Sequence, residues 1–443
     1  MQWRLQTLCM QGSGQKLIVY GRGLYNPLPV LIKTKMMDKL PIKSGDNVWK
    51  AGNAKEITFI VTKDCQLACK YCYLVGKNTK ERMSWNVAKK AIDYILEREE
   101  EFREESVVWD FIGGEPFLEI ELIDKICDYI KIEMFRRNHH WFNSYRLSFA
   151  TNGINYHDKK IQDFIKKNRS HLSIGITIDG TELLHDMNRI YKHSGKGSYK
   201  DVVRNIPLWL EQFPEGATKV TIASDNIPYI TESVLHLYNL GIHDVNINCV
   251  FENVWKEGDD ILLEKELVKL ADEIIEHRLY EKNNCSFFWE EMGKPMDKVK
   301  ENLNWCGAGK MLSIDAAGNF YPCTRFAQYS LREKKAWIIG NIHDGIDKNK
   351  LRPFLTLDRC TQSNPECVDC EVASGCAWCQ GENYDAADTP TAFQRATAIC
   401  KMHKARVRAN NYYWNKLYRK LELEGIAKEE AEKHIKKSNP EIC

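Results

Sequence analysis

The chain has 443 residues, 16 of them cysteine, with 63 lysine and arginine side chains against 61 aspartate and glutamate and a formal net charge of +2. This balance excludes the strongly basic surface of a protein that coats nucleic acid, so we expect no nucleic-acid partner. No apolar run approaches the ~18 residues of a membrane span, and the first residues lack the apolar core of a secretory signal. We therefore expect a cytoplasmic protein without a membrane partner, in which reduced cysteines serve metal centres rather than disulfides.

Short β-branched runs alternate with longer amphipathic stretches from residue 56 onward, which is typical of βα units around a parallel sheet. The pattern predicts six strands at residues 56–62, 107–112, 146–151, 173–178, 219–223 and 245–250. It predicts helices near residues 84–102, 119–135, 158–167, 199–212, 229–240 and 262–280. Six such units with right-handed crossovers can curl into a partial barrel, whose reactive face lies at the carboxyl ends of the strands.

The alternation of predicted strands and helices stops near residue 281. The chain then becomes irregular and cysteine-rich until a last predicted helix at residues 401–423. Five segments follow from this: an N-terminal extension (1–55), a barrel (56–281), a linker (282–305), a cysteine-rich domain (306–405) and a helical tail (406–443). The extension is too short for an independent domain. Its strand-like stretch at residues 15–20 offers an edge on which a peptide could dock by β-augmentation.

Three cysteines, Cys65, Cys69 and Cys72, crowd into the loop after the first predicted strand. A tetrahedral zinc site would need a fourth ligand, which only a distant histidine could supply. A 4Fe-4S cluster held by three cysteines instead leaves one iron open to a substrate or cofactor. The spacing therefore favours a reactive iron-sulfur centre and leaves zinc as the alternative.

The segment from Cys65 to Tyr73 resembles the signature of radical S-adenosylmethionine (SAM) enzymes, and the GGEP sequence that ends the second strand resembles a second motif of that family. The resemblance implies an α/β fold, a partial (β/α)6 radical SAM barrel followed by a small iron-sulfur SPASM domain. It also implies that Cys65, Cys69 and Cys72 hold a 4Fe-4S cluster. The residues that it implies for SAM binding are Tyr71 near the adenine, Gly113, Gly114, Glu115 and Pro116 at the methionine ammonium, Asn152, Thr177 and Asp179 along the pocket, and Arg189 at the carboxylate.

The cysteines of the last third resemble those of the SPASM domain, which carries two auxiliary 4Fe-4S clusters and brings the expected total to three. The resemblance implies a distal cluster on Cys367, Cys370, Cys376 and Cys400, and a cluster nearer the barrel on Cys306, Cys323 and Cys379. The nearer cluster lacks an obvious fourth ligand. Either Cys360 supplies it, or one iron is open and binds a substrate thiolate. A zinc ribbon built on the paired cysteines is the alternative.

The family resemblance implies an enzyme that cleaves SAM to a 5'-deoxyadenosyl radical, uses a reducing electron donor such as flavodoxin or ferredoxin, and modifies a ribosomally synthesised peptide. Sulfatase maturases carry an aspartate where this chain has Thr324, which disfavours that activity. Residues 376–385 and 400–406 resemble thioether-forming, ranthipeptide-type maturases that act on cysteine-rich precursor peptides with CXXX repeats. The alternatives are a maturase that forms carbon-carbon crosslinks or epimerises residues, and, more distantly, a zinc-stabilised peptide-binding protein. The catalytic base stays unassigned.

Overall fold

The computed structural model describes residues 54–294, 306–358, 361, 364–376, 378–426, 432–433 and 435–436, together with two short N-terminal strands. The chain divides into two compact units, residues 1–40 and 41–443. In the first unit, β1 (Thr7–Leu8) pairs antiparallel with β2 (Leu17–Ile18). The rest of the predicted peptide-docking extension lies outside the described residues, and its role stays a prediction.

All six predicted barrel strands are present, with each boundary moved by at most two residues. They are β3 (Ala54–Thr62), β4 (Ser106–Gly113), β5 (Tyr145–Thr151), β6 (Leu172–Ile176), β7 (Ala217–Ile222) and β8 (Asp244–Cys249). The first four pair in parallel and in chain order. The last two form a second parallel sheet with the short β9 (Asn284–Cys285).

A side chain bridges the break between β6 and β7. The Thr218 hydroxyl accepts a hydrogen bond from the Ile178 amide at 3.0 Å and donates one to the Ile176 carbonyl at 2.8 Å. Thr218 is only 1% exposed, so both backbone groups would otherwise lack a partner away from water. The hydroxyl therefore replaces the missing strand ladder and keeps the two sheets adjacent.

Helices follow the strands along the chain. They are α1 (Trp85–Leu96), α2 (Ile120–Arg136), α3 (Lys159–Asn168), α4 (Glu182–Asn188), α5 (Tyr199–Val203), α6 (Ile206–Gln212), α7 (Ile230–Asn239) and α8 (Asp259–Glu276). The single helix predicted over residues 199–212 is wrong, because Pro207 lacks an amide hydrogen and its ring clashes with the preceding turn, so the chain restarts as α6. The first helix also ends at Leu96, earlier than predicted.

The four-stranded part of the barrel wall has one apolar and one polar face. Phe149 lies 5.1 Å from Phe111 on the neighbouring strand and 5.5 Å from Phe164 of α3, so this face packs against the helices. Thr58, Asp110 and Ser148 lie opposite one another in register on the other face. Polar side chains therefore line the inside of the barrel, which we call the lumen.

The cysteine-rich segment extends the barrel sheet. Strand β10 (Leu312–Ile314) pairs in parallel with β3, and β11 (Asn319–Tyr321), β12 (Gly340–Asn341) and β13 (Gly345–Ile346) follow in antiparallel order. The remaining helices of the described residues are α9 (Lys348–Thr356), α10 (Pro365–Val368), α11 (Gln380–Ala386) and α12 (Cys400–Leu423). Helix α12 runs unbroken through the domain limit predicted at 405/406, so that limit does not separate two structural elements. Among the described helices, none has the length and apolar character needed to cross a bilayer.

Candidate functional site

The loop that carries Cys65, Cys69 and Cys72 is anchored on the segment after α4. The Ala68 amide donates to the Ile190 carbonyl at 2.8 Å, and the Lys70 amide donates to the Asn188 carbonyl at 3.1 Å. Burial raises the pKa of the Cys65 thiol to about 11 and that of Cys69 above its ordinary value, although Arg189 opposes the rise at Cys69. The raised pKa values keep these two thiols protonated at neutral pH, and a bound metal would have to displace those protons.

The two glycines after β4 allow the cysteine loop to pack against the strand end. A Cβ on Gly113 would lie 2.1 Å from the Thr62 carbonyl oxygen, and one on Gly114 would lie 2.1 Å from the Asp64 carbonyl oxygen. The backbone amides of Gly114 and Glu115 face the same segment. The Gly114 amide donates to the Thr62 carbonyl at 3.0 Å, and the Glu115 amide donates to the Asp64 carbonyl at 2.9 Å. In this structure the glycines thus admit a close backbone contact that fixes Cys65.

Glu115 joins the ends of two strands. Its carboxylate accepts hydrogen bonds from the Phe117 amide at 3.1 Å, the Thr151 hydroxyl at 2.6 Å and the Asn152 amide at 2.7 Å. Burial raises its pKa, while these three donors oppose the rise. A carboxylate has about four acceptor positions, so about one remains for a ligand ammonium.

Tyr71, Asp179 and Arg189 converge from three separate segments. The Tyr71 hydroxyl donates to Asp179 Oδ2, and Arg189 Nη1 donates to the Tyr71 oxygen at 3.0 Å. Asp179 is fully buried, and burial raises its pKa to about 6 even though Arg189 opposes the change. Asp179 Oδ1 and Arg189 Nε are both buried without a hydrogen-bond partner among the described residues. The cluster therefore offers one acceptor and one donor to a ligand with charges of both signs.

Asn152 and Thr177 lie on the neighbouring strand ends. The Asn152 amide nitrogen donates to the Gln66 side chain at 3.0 Å and lies 4.0 Å from Cys65 Sγ. The Thr177 amide donates to the Thr151 carbonyl at 2.9 Å, and Pro116 begins the short helix after β4. All nine residues implied for SAM binding thus lie on the strand ends and loops around the first cysteine loop, and their individual roles stay predictions.

The cysteines implied for the nearer auxiliary cluster come together around α11. Burial raises the pKa of the Cys323 thiol, and the neighbouring Cys306 and Cys379 thiols raise it further. The Gln380 amide donates to Cys306 Sγ at 3.3 Å, which brings the start of α11 to that cysteine. The candidate fourth ligand, Cys360, lies outside the described residues.

The four cysteines implied for the distal cluster form a second group. Burial raises the pKa of Cys376, and the nearby thiols of Cys400, Cys370 and Cys367 add to the rise. Arg395 opposes it, and its Nη2 donates to Cys376 Sγ at 3.1 Å. The sulfurs are therefore gathered beside a cation, as an anionic metal cluster requires.

Residues 59–240 match the model of the Radical SAM superfamily. These residues form a radical SAM domain. The chain is 29% identical to the uncharacterized protein MJ0907 of Methanocaldococcus jannaschii over 67% of this chain and 91% of that protein. It is 22% identical to the antilisterial bacteriocin subtilosin biosynthesis protein AlbA of Bacillus subtilis over 77% of this chain and 74% of AlbA. Among solved structures, native anSMEcpe with bound AdoMet and Cp18Cys peptide superposes with a TM-score of 0.59 at 17% identity, over 84% of this chain and 99% of that chain.

The chain thus contains a radical SAM domain at residues 59–240 and is similar in sequence to sulfatase-maturating enzymes and to AlbA. The family implies SAM and a 4Fe-4S cluster. The residues of the radical SAM domain fit both groups. Three neighbouring thiols, of which Cys65 is buried and Cys69 and Cys72 are partly exposed, suit the iron atoms, and the unpartnered Asp179 and Arg189 atoms suit the charged and polar groups of SAM. Glu115 retains acceptor capacity beside them.

The spacing of the sulfurs bears on the zinc alternative. Four thiolates around one zinc at about 2.3 Å stand about 3.8 Å apart. Among the described residues, Glu99, His139 and His140 are the group whose ligand atoms all lie within 4.8 Å of one another, and no three cysteines are that close. No three described cysteines are therefore spaced as ligands of a single zinc, and the iron-sulfur assignment stays a prediction.

The Glu99, His139 and His140 group is itself a poor metal site. The His139 Nδ1 atom accepts a hydrogen bond from the Trp141 amide at 3.2 Å. In the neutral ring the proton then lies on Nε2, the buried atom 4.0 Å from Glu99. A nitrogen that carries a proton has no free lone pair for a metal, so His139 does not offer Nε2 as a ligand to this group.

Sequence reasoning missed two side chains that position Asp179 and Arg189. His185 Nδ1 accepts from the Asp179 amide at 3.3 Å, and its Nε2 lies 3.0 Å from the Ser198 hydroxyl, which donates to the Arg189 carbonyl at 2.8 Å. These partners assign the proton to Nε2. Burial lowers the His185 pKa to about 2, so the ring stays neutral. A histidine six residues after the aspartate gave no signal in a single sequence.

Proposed function

We propose that this radical SAM enzyme cleaves SAM reductively and installs thioether crosslinks, from cysteine sulfur to carbon, in a ribosomally synthesised, cysteine-rich precursor peptide. The first cysteine loop would hold a catalytic 4Fe-4S cluster, and the two groups in residues 306–405 would hold two auxiliary clusters. When bound, SAM and its cluster supply a 5'-deoxyadenosyl radical that takes a hydrogen from the peptide. A reducing donor such as flavodoxin or ferredoxin would provide the electron.

The observation that carries the proposal is that one side chain, Tyr73, lies between the first cysteine loop and the nearer auxiliary cysteines, which lie at the two ends of the lumen. Tyr73 follows Cys72 directly, and its pKa is raised first by burial and then by the neighbouring Cys72, Cys323 and Asp110. One side chain thus lies within electrostatic range of both cysteine groups and of the lumen wall. A peptide thiol held near Cys323 would therefore share the lumen with the hydrogen-abstracting group, as sulfur-to-carbon bond formation requires.

The protein supplies orientation and the exclusion of water. Arg189 and Asp179 present their buried, unpartnered atoms to the charged and polar groups of SAM, while Tyr71 holds the pair together. Asp179 is fully buried and Glu115 is 2% exposed, so these groups act where water does not screen them. Asp110 and Glu56 line the lumen below, and burial raises the pKa of both carboxyls. Glu56, whose pKa is raised to about 8, retains its proton near neutral pH and can donate a hydrogen bond to a peptide backbone.

The test is a reaction of anaerobically reconstituted enzyme with SAM, dithionite and a synthetic peptide that contains CXXX repeats. We expect 5'-deoxyadenosine, the loss of two hydrogens per crosslink, and a matching loss of thiols that react with iodoacetamide. A matched peptide with serine in place of cysteine should stay unmodified. Loss of two hydrogens with all thiols retained would favour carbon-carbon crosslinking, and an unchanged mass with deuterium uptake from heavy water would favour epimerisation.

Metal content provides the second test. Three 4Fe-4S clusters predict about twelve irons and as many sulfides per chain. The Cys65/Cys69/Cys72→Ala triple variant should lose about four irons and all SAM cleavage. Zinc in place of iron in the wild type would refute the radical reaction and favour a structural metal protein.

A further inference from the structure

Arg325 lies where the barrel meets the nearer auxiliary cysteines. It is the middle residue of the short turn Thr324–Phe326 that follows Cys323, and its Nη1 donates to Glu252 Oε1 at 2.9 Å. The two side chains are only 16% and 14% exposed. The guanidinium carbon lies 4.5 Å from the centre of the Tyr73 ring, directly after the first cysteine loop. Arg325 thus touches three elements that come from distant parts of the chain.

The charge of Arg325 faces the thiols of the nearer group. Burial alone would lower the pKa of Arg325. The negative charges of Cys379 and then of Glu252 outweigh burial and raise the pKa. In return Arg325 lowers the pKa of Cys323, both through its backbone amide and through its charge. A Cβ on Gly381, two residues after Cys379, would lie 2.3 Å from the Arg325 Cβ, so this glycine lets α11 approach.

Each cysteine group has its own arginine. Arg189 lowers the pKa of Cys69 in the first loop, and Arg395 donates to Cys376 in the distal group. Arg325, the arginine of the nearer group, is also paired to a carboxylate of the barrel, Glu252. This pairing gives the nearer group a cation and an anion at fixed positions.

We propose that Arg325 and Glu252 form a charge pair that sets the reduction potential of the nearer auxiliary cluster, with Arg325 stabilising the reduced state and Glu252 limiting that effect. This inference rests on the proposed function, because it requires a cluster on Cys306, Cys323 and Cys379. Arg325 acts as a positioning residue, since its side chain contacts Glu252 and Tyr73 rather than the reacting atoms.

The physical reason is the change of charge on reduction. An iron-sulfur cluster becomes one unit more negative when it takes up one electron from dithionite, and no other atom needs to move. A fixed cation nearby favours the more negative state, and a fixed anion disfavours it. The low exposure of both side chains limits screening by water and salt. Removal of either charge should therefore shift the potential, and the two shifts should have opposite signs.

The experiment measures cluster midpoint potentials by dithionite reduction followed by EPR, on full-length protein. The background is the Cys65/Cys69/Cys72→Ala triple variant, in which only auxiliary clusters remain. We expect Arg325→Gln to lower one of the two potentials and Glu252→Gln to raise the same one, while Arg325→Lys stays close to the background. Arg395→Gln is the matched control and should lower the other potential. If the triple variant folds poorly, the same series in the wild-type background gives the same comparison.

The outcomes separate the two proposals. If the protein holds two auxiliary clusters and Arg325→Gln moves neither potential, the charge-pair proposal is overturned. It is also overturned if Glu252→Gln moves the potential in the same direction as Arg325→Gln. Either result leaves the maturase proposal intact. A protein without auxiliary iron overturns the proposed function itself. Loss of iron from Arg325→Gln with retention in Arg325→Lys would assign Arg325 to cluster assembly and would contradict a role in setting the potential.

Discussion

Gly114 provides the sharpest test of how the first cysteine loop is positioned. In Gly114→Ala the new Cβ would lie 2.1 Å from the Asp64 carbonyl oxygen and 2.9 Å from Cys65 Cβ, whereas real Cβ contacts essentially never fall below 3.0 Å. The loop must therefore move by about 0.9 Å, and both neighbours are backbone or near-backbone atoms that cannot rotate away. Displacements of ~1 Å in a catalytic arrangement can cost about 100-fold in rate. We expect a loss of at least that size in SAM cleavage.

The assay is 5'-deoxyadenosine formation with SAM and dithionite, measured together with iron content and the unfolding temperature. Overpacking of this kind costs about 1–3 kcal/mol of stability, so a stability control is needed. Gly258→Ala provides it, because Gly258 has a φ of +85° and a Cβ there would meet nothing within 4 Å. Its backbone strain costs about 1–2 kcal/mol without touching the site. If Gly114→Ala cleaves SAM within a few-fold of Gly258→Ala, the positioning argument is wrong.

Three further predictions concern stability. Thr218→Val removes the hydroxyl that bridges β6 and β7, so urea unfolding should show a loss of about 1–3 kcal/mol, and an unchanged midpoint would contradict the bridge. Asp385, 3% exposed, accepts from three consecutive backbone amides of the turn at residues 332–334, so Asp385→Asn should lower the melting temperature clearly more than the surface change Asp388→Asn. Burial lowers the pKa of His139 to about 4 from 6.5, so the folded state resists protonation and stability falls as the pH drops from 6.5 towards 4. The loss is at most about 3 kcal/mol. His139→Asn, which keeps a cap acceptor, should show a shallower fall of melting temperature between about pH 7.5 and 5.5.

Local signals made the barrel predictable. Alternating apolar residues mark each strand because one face of the sheet packs against helices, as Phe149 does against Phe164. The break in the helix at Pro207 was equally local but was overlooked, because the apolar spacing continues across it. The cysteine spacing marked the first loop for the same reason, since Cys65, Cys69 and Cys72 are close in sequence, whereas the distant GGEP motif was assigned through the family resemblance.

Contacts between distant segments were not predictable. Arg325 and Glu252 carry no motif, and their pairing depends on the fold that brings the turn after β11 to the loop after β8. His185 lies on a helix that the sequence analysis did not predict at all. Strand β10 is too short for periodicity to detect, and its partner Ile57 lies far away in the chain. Each of these features needs tertiary packing, which overrides weak local preference.

The register of β10 on β3 places the cysteine groups at opposite ends of the lumen. Ser313 pairs with both Thr58 and Tyr321, so Cys323, two residues after Tyr321, lies near the level of Glu56. The first cysteine loop instead follows Thr62, at the other end of β3. At about 3.3 Å per residue, Glu56 and Thr62 are about 20 Å apart. A peptide segment that enters the polar lumen can therefore meet the SAM site at one end and the nearer auxiliary cysteines at the other. A shift of two residues in the pairing of β10 with β3 would change the distance between the two cysteine groups by about 7 Å.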